Sequence, residues 1–248
     1  MNDTIYLLGG HDLEMKEIRA ILENRGCKFV DRNLQWGAKL SDYQDLFNDS
    51  DLFIGIELAD DVTHPFKYEV IDHHNENSDK PSSIEQLAMK LGLVLDHRQQ
   101  LIAANDSGFI PAMDAMGASK EEMVAIRWQD RHAQGVTEID EHLAQESIQN
   151  HLSITGLVTV VRSLSGRFSA IVDRLYPCPR ILVYTDRELT YYGIGAGNLQ
   201  HRFPDLIKGK KVYFGGGPNG FFGVKPELLT NEELEIIRDA IMEVINQG

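Results

Sequence analysis

The stretch Tyr68-Glu69-Val70-Ile71-Asp72-His73-His74-Asn75 constrains this chain more than any other. Tyr68 to Ile71 reads as a short strand, and it stops abruptly at an acid and two adjacent imidazoles. If the strand continued, Asp72 and His74 would point one way and His73 the other. The polar run from Asn75 to Ser83 instead ends it at Ile71. All three side chains then crowd around one point at the carboxyl end of the strand, where open α/β sheets build their sites. Carboxylate with imidazole is the donor mixture that suits Mn²⁺, Fe²⁺ or Zn²⁺. The competing reading is a surface turn that happens to contain two histidines.

Three further stretches favour the metal. The apolar run Thr4 to Leu8 passes through Gly9-Gly10 into His11-Asp12-Leu13-Glu14. Leu52 to Ile56 ends at Glu57, with Asp60 and Asp61 close behind, and Leu101-Ile102-Ala103-Ala104 ends in Asn105-Asp106-Ser107-Gly108. Four strand-like segments ending in carboxylates, two of them with histidine, describe a metal centre at one edge of a sheet. Each also has a plainer reading. Asp12 is placed to cap the helix that follows, Glu57 can be an ordinary strand-end acid, and Asp106-Ser107-Gly108 can be an Asx turn.

In this order the residues resemble the DHH phosphoesterase superfamily, named for the triplet seen here as Asp72-His73-His74. Its members carry a histidine with a D-x-D pair after the first strand, an acid after a middle strand, the triplet and a further aspartate. A glycine-rich motif in the C-terminal half matches Gly215-Gly216-Gly217. The resemblance implies a metal-bearing cleft between two α/β domains, and hydrolysis there of a small phosphodiester or phosphoanhydride. Short oligonucleotides, cyclic dinucleotides and polyphosphate are the substrate types it suggests. The implied cofactor is Mn²⁺, as two ions, with Mg²⁺, Fe²⁺ or Zn²⁺ as substitutes. The implied ligands are His11, Asp12, Glu14, Glu57, Asp60, Asp72, His73 and Asp106, with Glu57 bridging and Asp60 in reserve. Asp72 is expected either to ligate or to orient His73. His74 is expected to face the substrate as a phosphate donor or acid. Three departures from the family pattern stand out. His11 and Asp12 are adjacent rather than four residues apart, Glu14 replaces an aspartate, and Pro218 stands where the glycine-rich motif has histidine. They make a catalytically degenerate nucleotide- or metal-binding module the alternative to an enzyme.

The glycine run Gly215-Gly216-Gly217-Pro218-Asn219-Gly220 lets backbone approach a ligand and present N–H groups to phosphate oxygens. No Gly-Lys-Ser/Thr follows it, so it is not a Walker loop. Gly215, Gly216, Gly217 and Asn219 are candidate substrate contacts, and Arg162 with Arg167 form a second candidate phosphate contact. The alternative is a glycine-rich turn with no ligand.

The charge is unevenly placed. Residues 1–150 hold 28 acids and 13 bases, a balance of −15, whereas residues 151–248 hold 10 acids and 11 bases. Within the second half, residues 151–225 carry 10 bases and 4 acids. A cation-binding half beside a mildly basic one suits a small phosphorylated substrate, and the acidic half disfavours long nucleic acid. No apolar run approaches the roughly 20 residues that span a bilayer. The start of the chain lacks a basic, apolar leader, so neither membrane insertion nor secretion is expected. Cys27 and Cys178 have no metal or redox spacing and read as free thiols in a reducing cytoplasm. The oligomeric state is left open, a homodimer included.

Strands alternating with helices over 1–118 predict an α/β fold with a mostly parallel sheet and helices on both faces. Its helices are expected at Leu13 to Glu23 and Ile84 to Leu91, with a short helical segment at Asp42 to Asn48. Residues 119–150 read as a helical connector, with Arg127, Asp130, Arg131 and His132 on an exposed face or in local ion pairs. Residues 151–248 read as a smaller C-terminal α/β domain. Its strands are expected at Leu157 to Val161, Ile181 to Tyr184, Leu189 to Ile194 and Lys211 to Phe214. Its final helix runs from Thr230 to Asn246.

Overall fold

Alternating β-branched and amphipathic runs build two sheets in this protein. The computed structural model describes residues 3–216, 219–225 and 228–247. The chain divides into two units, Met1–Gly135 and Val136–Gly248. The first unit runs β1 (Thr4–Leu8), α1 (Leu13–Asn24), β2 (Lys28–Asp31), a 3-10 helix (Leu40–Leu46), β3 (Leu52–Ile56) and β4 (Tyr68–Ile71), followed by α2 (Ser83–Leu91), α3 (His97–Ala115) and α4 (Lys120–Ala133).

Its four strands pair in the order β2-β1-β3-β4, all parallel. On one face, Tyr6, Leu8, Ile54, Ile56 and Ile71 pack against Met15, Ile18 and Leu22 of α1 and Ile84 and Leu87 of α2. On the other, Leu7 and Phe53 meet Leu40 and Tyr43 of the 3-10 helix. The alternation of Leu7 with Leu8 and of Phe53 with Ile54 is what a sheet buried on both faces requires. The register places Leu8 opposite Ile56 and Ile56 opposite Ile71. Glu57 and Asp72 therefore leave the sheet side by side. The strand order reverses between β1 and β3, so the crevice at their carboxyl ends is a topological switch point.

The second unit contains α5 (Glu138–His151), β5 (Leu152–Thr155), β6 (Val158–Arg162), α6 (Ser169–Arg174), β7 (Arg180–Tyr184), β8 (Leu189–Gly193), α7 (Ala196–Arg202), α8 (Pro204–Lys208), β9 (Val212–Gly215), β10 (Phe221–Val224) and α9 (Asn231–Gln247). The strand order is β5-β6-β7-β8-β10-β9. Only β6 and β7 run parallel. Leu234, Ile237, Ile241 and Ile245 of α9 cover Leu182, Tyr191 and Phe222 on one face. Ala144 of α5 and Ile171 of α6 cover Val161, Ile181 and Val183 on the other. No described helix is long and apolar enough to cross a membrane.

Four sequence expectations change. Leu101 to Ala104 is not a strand but lies in α3, because Asp96 and Gln99 form a capping box that starts a helix just upstream. A four-residue apolar run carries no periodicity to reveal this. Strands β5 and β10 were not expected. The 119–150 connector is shared between the units. Ile126 and Ala133 of α4 join the cluster of Leu13, Leu101 and Met113, while α5 packs on the second sheet. Finally, Arg127, Asp130 and Arg131 are buried, not exposed.

The close approach of β1 to β3 depends on Gly9. A Cβ there would lie 2.2 Å from the Glu57 carbonyl oxygen and 2.5 Å from that of Ile56. Both are backbone atoms in a paired sheet and cannot turn aside. Gly9→Ala is expected to destabilise the protein by about 1–3 kcal/mol, as overpacking does. Urea unfolding checks this, and an unchanged midpoint would count against the tight β1–β3 contact.

Candidate metal centre

Each candidate ligand is delivered by a local feature of the chain. After β1, Asp12 caps α1, its Oδ1 accepting the Met15 N–H at 2.8 Å. That turn buries Glu14, whose Oε1 accepts the Ile84 N–H at the start of α2, at 3.0 Å. Glu57 ends β3 with φ +53°, a left-handed conformation uncommon for a residue with a side chain. Such positions persist where the surroundings over-determine them, often at functional sites. His73 follows β4. Asp106 sits in α3 just before its helical geometry breaks at Gly108 and Phe109.

These elements bring four ligand atoms together. One from each of Glu14, Glu57, His73 and Asp106 all lie within 4.8 Å of one another. His73 Nε2 is 2.5 Å from Asp106 Oδ2 and 3.6 Å from Glu57 Oε1. Neither contact has hydrogen-bond geometry. Glu14 Oε2, Glu57 Oε1, His73 Nε2 and Asp106 Oδ2 are thus all buried without a hydrogen-bond partner. Leaving one such atom unsatisfied costs about 1–3 kcal/mol, more if it is charged. Four aimed at one point fit a cation. With metal–ligand bonds of about 2.0–2.6 Å, donors across one ion lie about 4–5 Å apart. Three carboxylates and an imidazole suit Mn²⁺, Fe²⁺, Mg²⁺ or Zn²⁺.

The electrostatics agree. Burial, then the charges of Glu57 and Asp106, push Asp12 up to about 7. Burial, then Asp106 and Glu57, hold Glu14 well above the usual carboxylate range. Burial also raises Asp106, against the pull of His73. Burial disfavours a charge on His73, yet Asp106 and Glu57 outweigh it and raise the imidazole to about 10. For Glu57, burial is outweighed by His73 and His74, which carry its carboxyl below the ordinary value. Acids that repel one another and compete for one imidazole are the arrangement a divalent ion relieves.

His74 differs from His73. Its side chain is 46% exposed against 9% for His73, and the two rings are 4.4 Å apart. His74 Nδ1 lies 3.0 Å from Asp72 Oδ1, which also accepts the His74 backbone N–H. Asn77 Nδ2 donates to the other oxygen of Asp72 at 2.9 Å. Burial tends to raise Asp72, but Asn77 and His74 bring it below the ordinary value. Asp72 therefore orients His74, not the expected His73. A ligand atom of His74 also lies within 4.8 Å of Glu57 and His73 in a second, overlapping group.

Other candidates lie elsewhere. His11 is half-buried and outside both groups. Asp12 is also outside them, although a Cβ on neighbouring Gly10 would lie 3.7 Å from its Oδ2 and 3.4 Å from Glu57 Oε2. Asp60 is exposed and pairs with His64 at 2.9 Å. In the second unit, Arg162 is exposed and bonded to Asp186 at 3.0 Å. Arg167 is exposed, with its backbone N–H on Ser165 Oγ. Gly215 ends β9, Gly216 has φ +72°, and Asn219 is exposed in the turn into β10. Gly217 and Pro218 lie outside the described residues. Sequence reading missed the buried hydroxyl groups of Tyr68 and Ser83, which have no hydrogen-bond partner. It also missed a buried Asn105–Arg127–Asp130 set. No sequence motif marks them.

Sheet order, carboxyl-end cluster and second sheet describe a two-unit α/β fold that is similar to that of a solved DHH domain. No protein-family model matches the chain, and no curated protein matches it in sequence. Among solved structures it resembles a pGpG-specific phosphodiesterase, PggH of Vibrio cholerae. That match has 14% identity and a TM-score of 0.51, and covers 100% of this chain and 99% of the other. It also resembles the DHH domain of a member of the s1p family of ribosomal proteins. There the identity is 11% and the TM-score 0.52, over 99% and 87% of the two chains. Exonuclease RecJ bound to manganese aligns at 10% identity and TM-score 0.48, over 98% and 90%. At these identities the likeness is one of fold.

If the four converging atoms hold a cation, Mn²⁺ should raise the melting temperature of metal-free protein. The gain grows with concentration, reaching about 2.7 kcal/mol at 100 times Kd. Asp106→Asn is expected to remove most of that gain. Thermal melts of both proteins with and without Mn²⁺ decide the point, and an equal gain in the variant would exclude Asp106 as a ligand.

Proposed function

We propose that this protein is a divalent-metal-dependent phosphoesterase acting on a small phosphodiester or phosphoanhydride. The observation that carries the reading is the convergence of four buried ligand atoms, from Glu14, Glu57, His73 and Asp106, beside an exposed His74 paired with Asp72. Glu14, Glu57, His73 and Asp106 would hold the metal. Glu57 and His73 belong to both ligand groups, and Glu57 is the carboxylate common to them. Divalent ions, when bound, neutralise phosphate oxygens and make water nucleophilic at neutral pH.

The remaining chemistry falls to the chain. When His74 carries both ring protons, Nδ1–H donates to Asp72 Oδ1 and Nε2–H is left to donate to a phosphate oxygen or pass a proton to the leaving oxygen. Within the second unit, Gly215, Gly216 and Asn219 of the glycine turn and the side chains of Arg162 and Arg167 are the groups we propose to contact phosphate oxygens. The acidic first half repels long polyanions, which favours a short substrate. The rival reading is a module that binds nucleotide or metal without hydrolysis. It is favoured by His11 standing outside the ligand groups and by Asp12 spending one oxygen on a helix cap.

A screen with Mn²⁺ against pGpG, other short oligonucleotides, cyclic dinucleotides and polyphosphate tests the proposal. Metal binding without turnover of any of them would favour the rival. His73→Ala is expected to lower Mn²⁺ affinity along with activity. His74→Ala should keep metal binding while losing about 10²–10⁴-fold in rate, the usual worth of a general acid. Titration calorimetry and initial rates separate the two. Equal metal loss in both variants would make His74 a ligand, and a fully active His74→Ala would return it to a surface turn.

A further inference from the structure

Two ligand-bearing segments of the first unit meet although about ninety residues separate them. Asp12 and Glu14 flank Leu13 at the start of α1, and Asp106 lies in α3. A buried polar chain on α4 touches both, next to the ligands and not through them. Asp130 Oδ1 accepts the Leu13 N–H at 3.3 Å, and Gln134 Nε2 donates to the same oxygen at 3.0 Å. Arg127 donates to Asp130 Oδ2 at 2.7 Å, and the same nitrogen donates to Asn105 Oδ1 at 3.0 Å. Asn105 directly precedes Asp106. Beyond the break in α3, the Arg127 guanidinium lies 5.1 Å from the centre of the Phe109 ring. Asn105, Arg127 and Asp130 are each at most 5% exposed.

We propose that Asp130 and Arg127 are positioning residues that hold Asp12–Glu14 and Asp106 at ligand spacing, through the Leu13 N–H and the Asn105 side chain. The inference rests on the metal-centre reading above. Helix geometry explains the form of the device. Leu13 supplies one of the free N–H groups of the first turn of α1, and residues three apart on α4 share a face. Asp130 takes the Leu13 donor while Asp12 Oδ1 takes that of Met15, so the turn carrying Asp12 and Glu14 is tied at two points. The Arg127 fork joins this turn to α3. A buried ion pair is often replaceable by apolar residues without loss of stability. Its value here is geometric.

Mn²⁺ titration calorimetry on the folded full chain tests the proposal, with folding checked by circular dichroism. Asp130→Leu removes the acceptor and should weaken Mn²⁺ binding by about 10–100-fold, as loss of a group supporting a ligand does. Asp130→Asn retains an acceptor for Leu13 and should bind within a few-fold of wild type. Ile126→Ala opens a cavity on the same helix without touching the polar chain and should leave affinity unchanged. If Asp130→Leu does not fold, Asn105→Ala serves in its place, with an expected loss of about tenfold or more. Unchanged affinity in the polar variants, or an equal loss in Ile126→Ala, overturns the positioning role. No Mn²⁺ binding by the wild-type chain overturns the metal centre itself, a separate and recognisable failure.

Discussion

Repulsion among buried carboxylates is the constraint on which the rest of this structure turns. Glu14, Glu57 and Asp106 crowd around a single imidazole, His73, at the end of a parallel sheet, with Asp12 close enough to feel Glu57 and Asp106. Left to themselves such groups would separate or protonate, since desolvated like charges oppose one another strongly. The fold denies them the first route by anchoring each to a different element. Glu14 is tied to the start of α2, Glu57 to a left-handed strand end, and Asp106 to a helix about to break. A divalent cation held there would relieve that repulsion. Stability sacrificed at a site in this way is a common mark of function.

The sheet topology explains why the centre lies where it does. The strand order reverses beside β1, and a doubly wound sheet is open at such a point. Gly9 lets β1 come close enough to β3 for the two strand ends to share the crevice. The register then aligns Glu57 with Asp72, and the residue that follows Asp72 turns inward. One imidazole is thereby buried among acids, and the next remains at the surface with Asp72 behind it. Adjacent residues leave a backbone in different directions, so one dipeptide supplies two different chemistries.

The proposed support for the cluster is a buried polar set next to it in the chain. Arg127 and Asp130 satisfy each other while binding Leu13 and Asn105, each one residue from a ligand. Precision at a site generally requires such backing, because a ligand displaced by about 1 Å no longer coordinates well. The protein places it on α4, a helix that contributes no ligand.

Much of this was legible in the sequence, and the limit is physical. The strand Tyr68–Ile71 and the candidacy of Glu57, His73 and Asp106 as ligands follow from local pattern, since strand ends and alternation are set by neighbours in the chain. The α/β class follows equally from alternation of periods. Local pattern misled where context decides. Leu101 to Ala104 became helix because of a cap upstream, and Asp106 reached the site from a helix instead of a strand. Asp60, held in reserve for Glu57, lies exposed and pairs with His64 instead. Arg127 and Asp130 looked like an exposed charged face until α1 and α3 packed over them. The sequence by itself determined which residues could bind a metal and which elements would carry them. Only the tertiary structure decided which ones converge, because convergence depends on contacts between segments far apart in the chain.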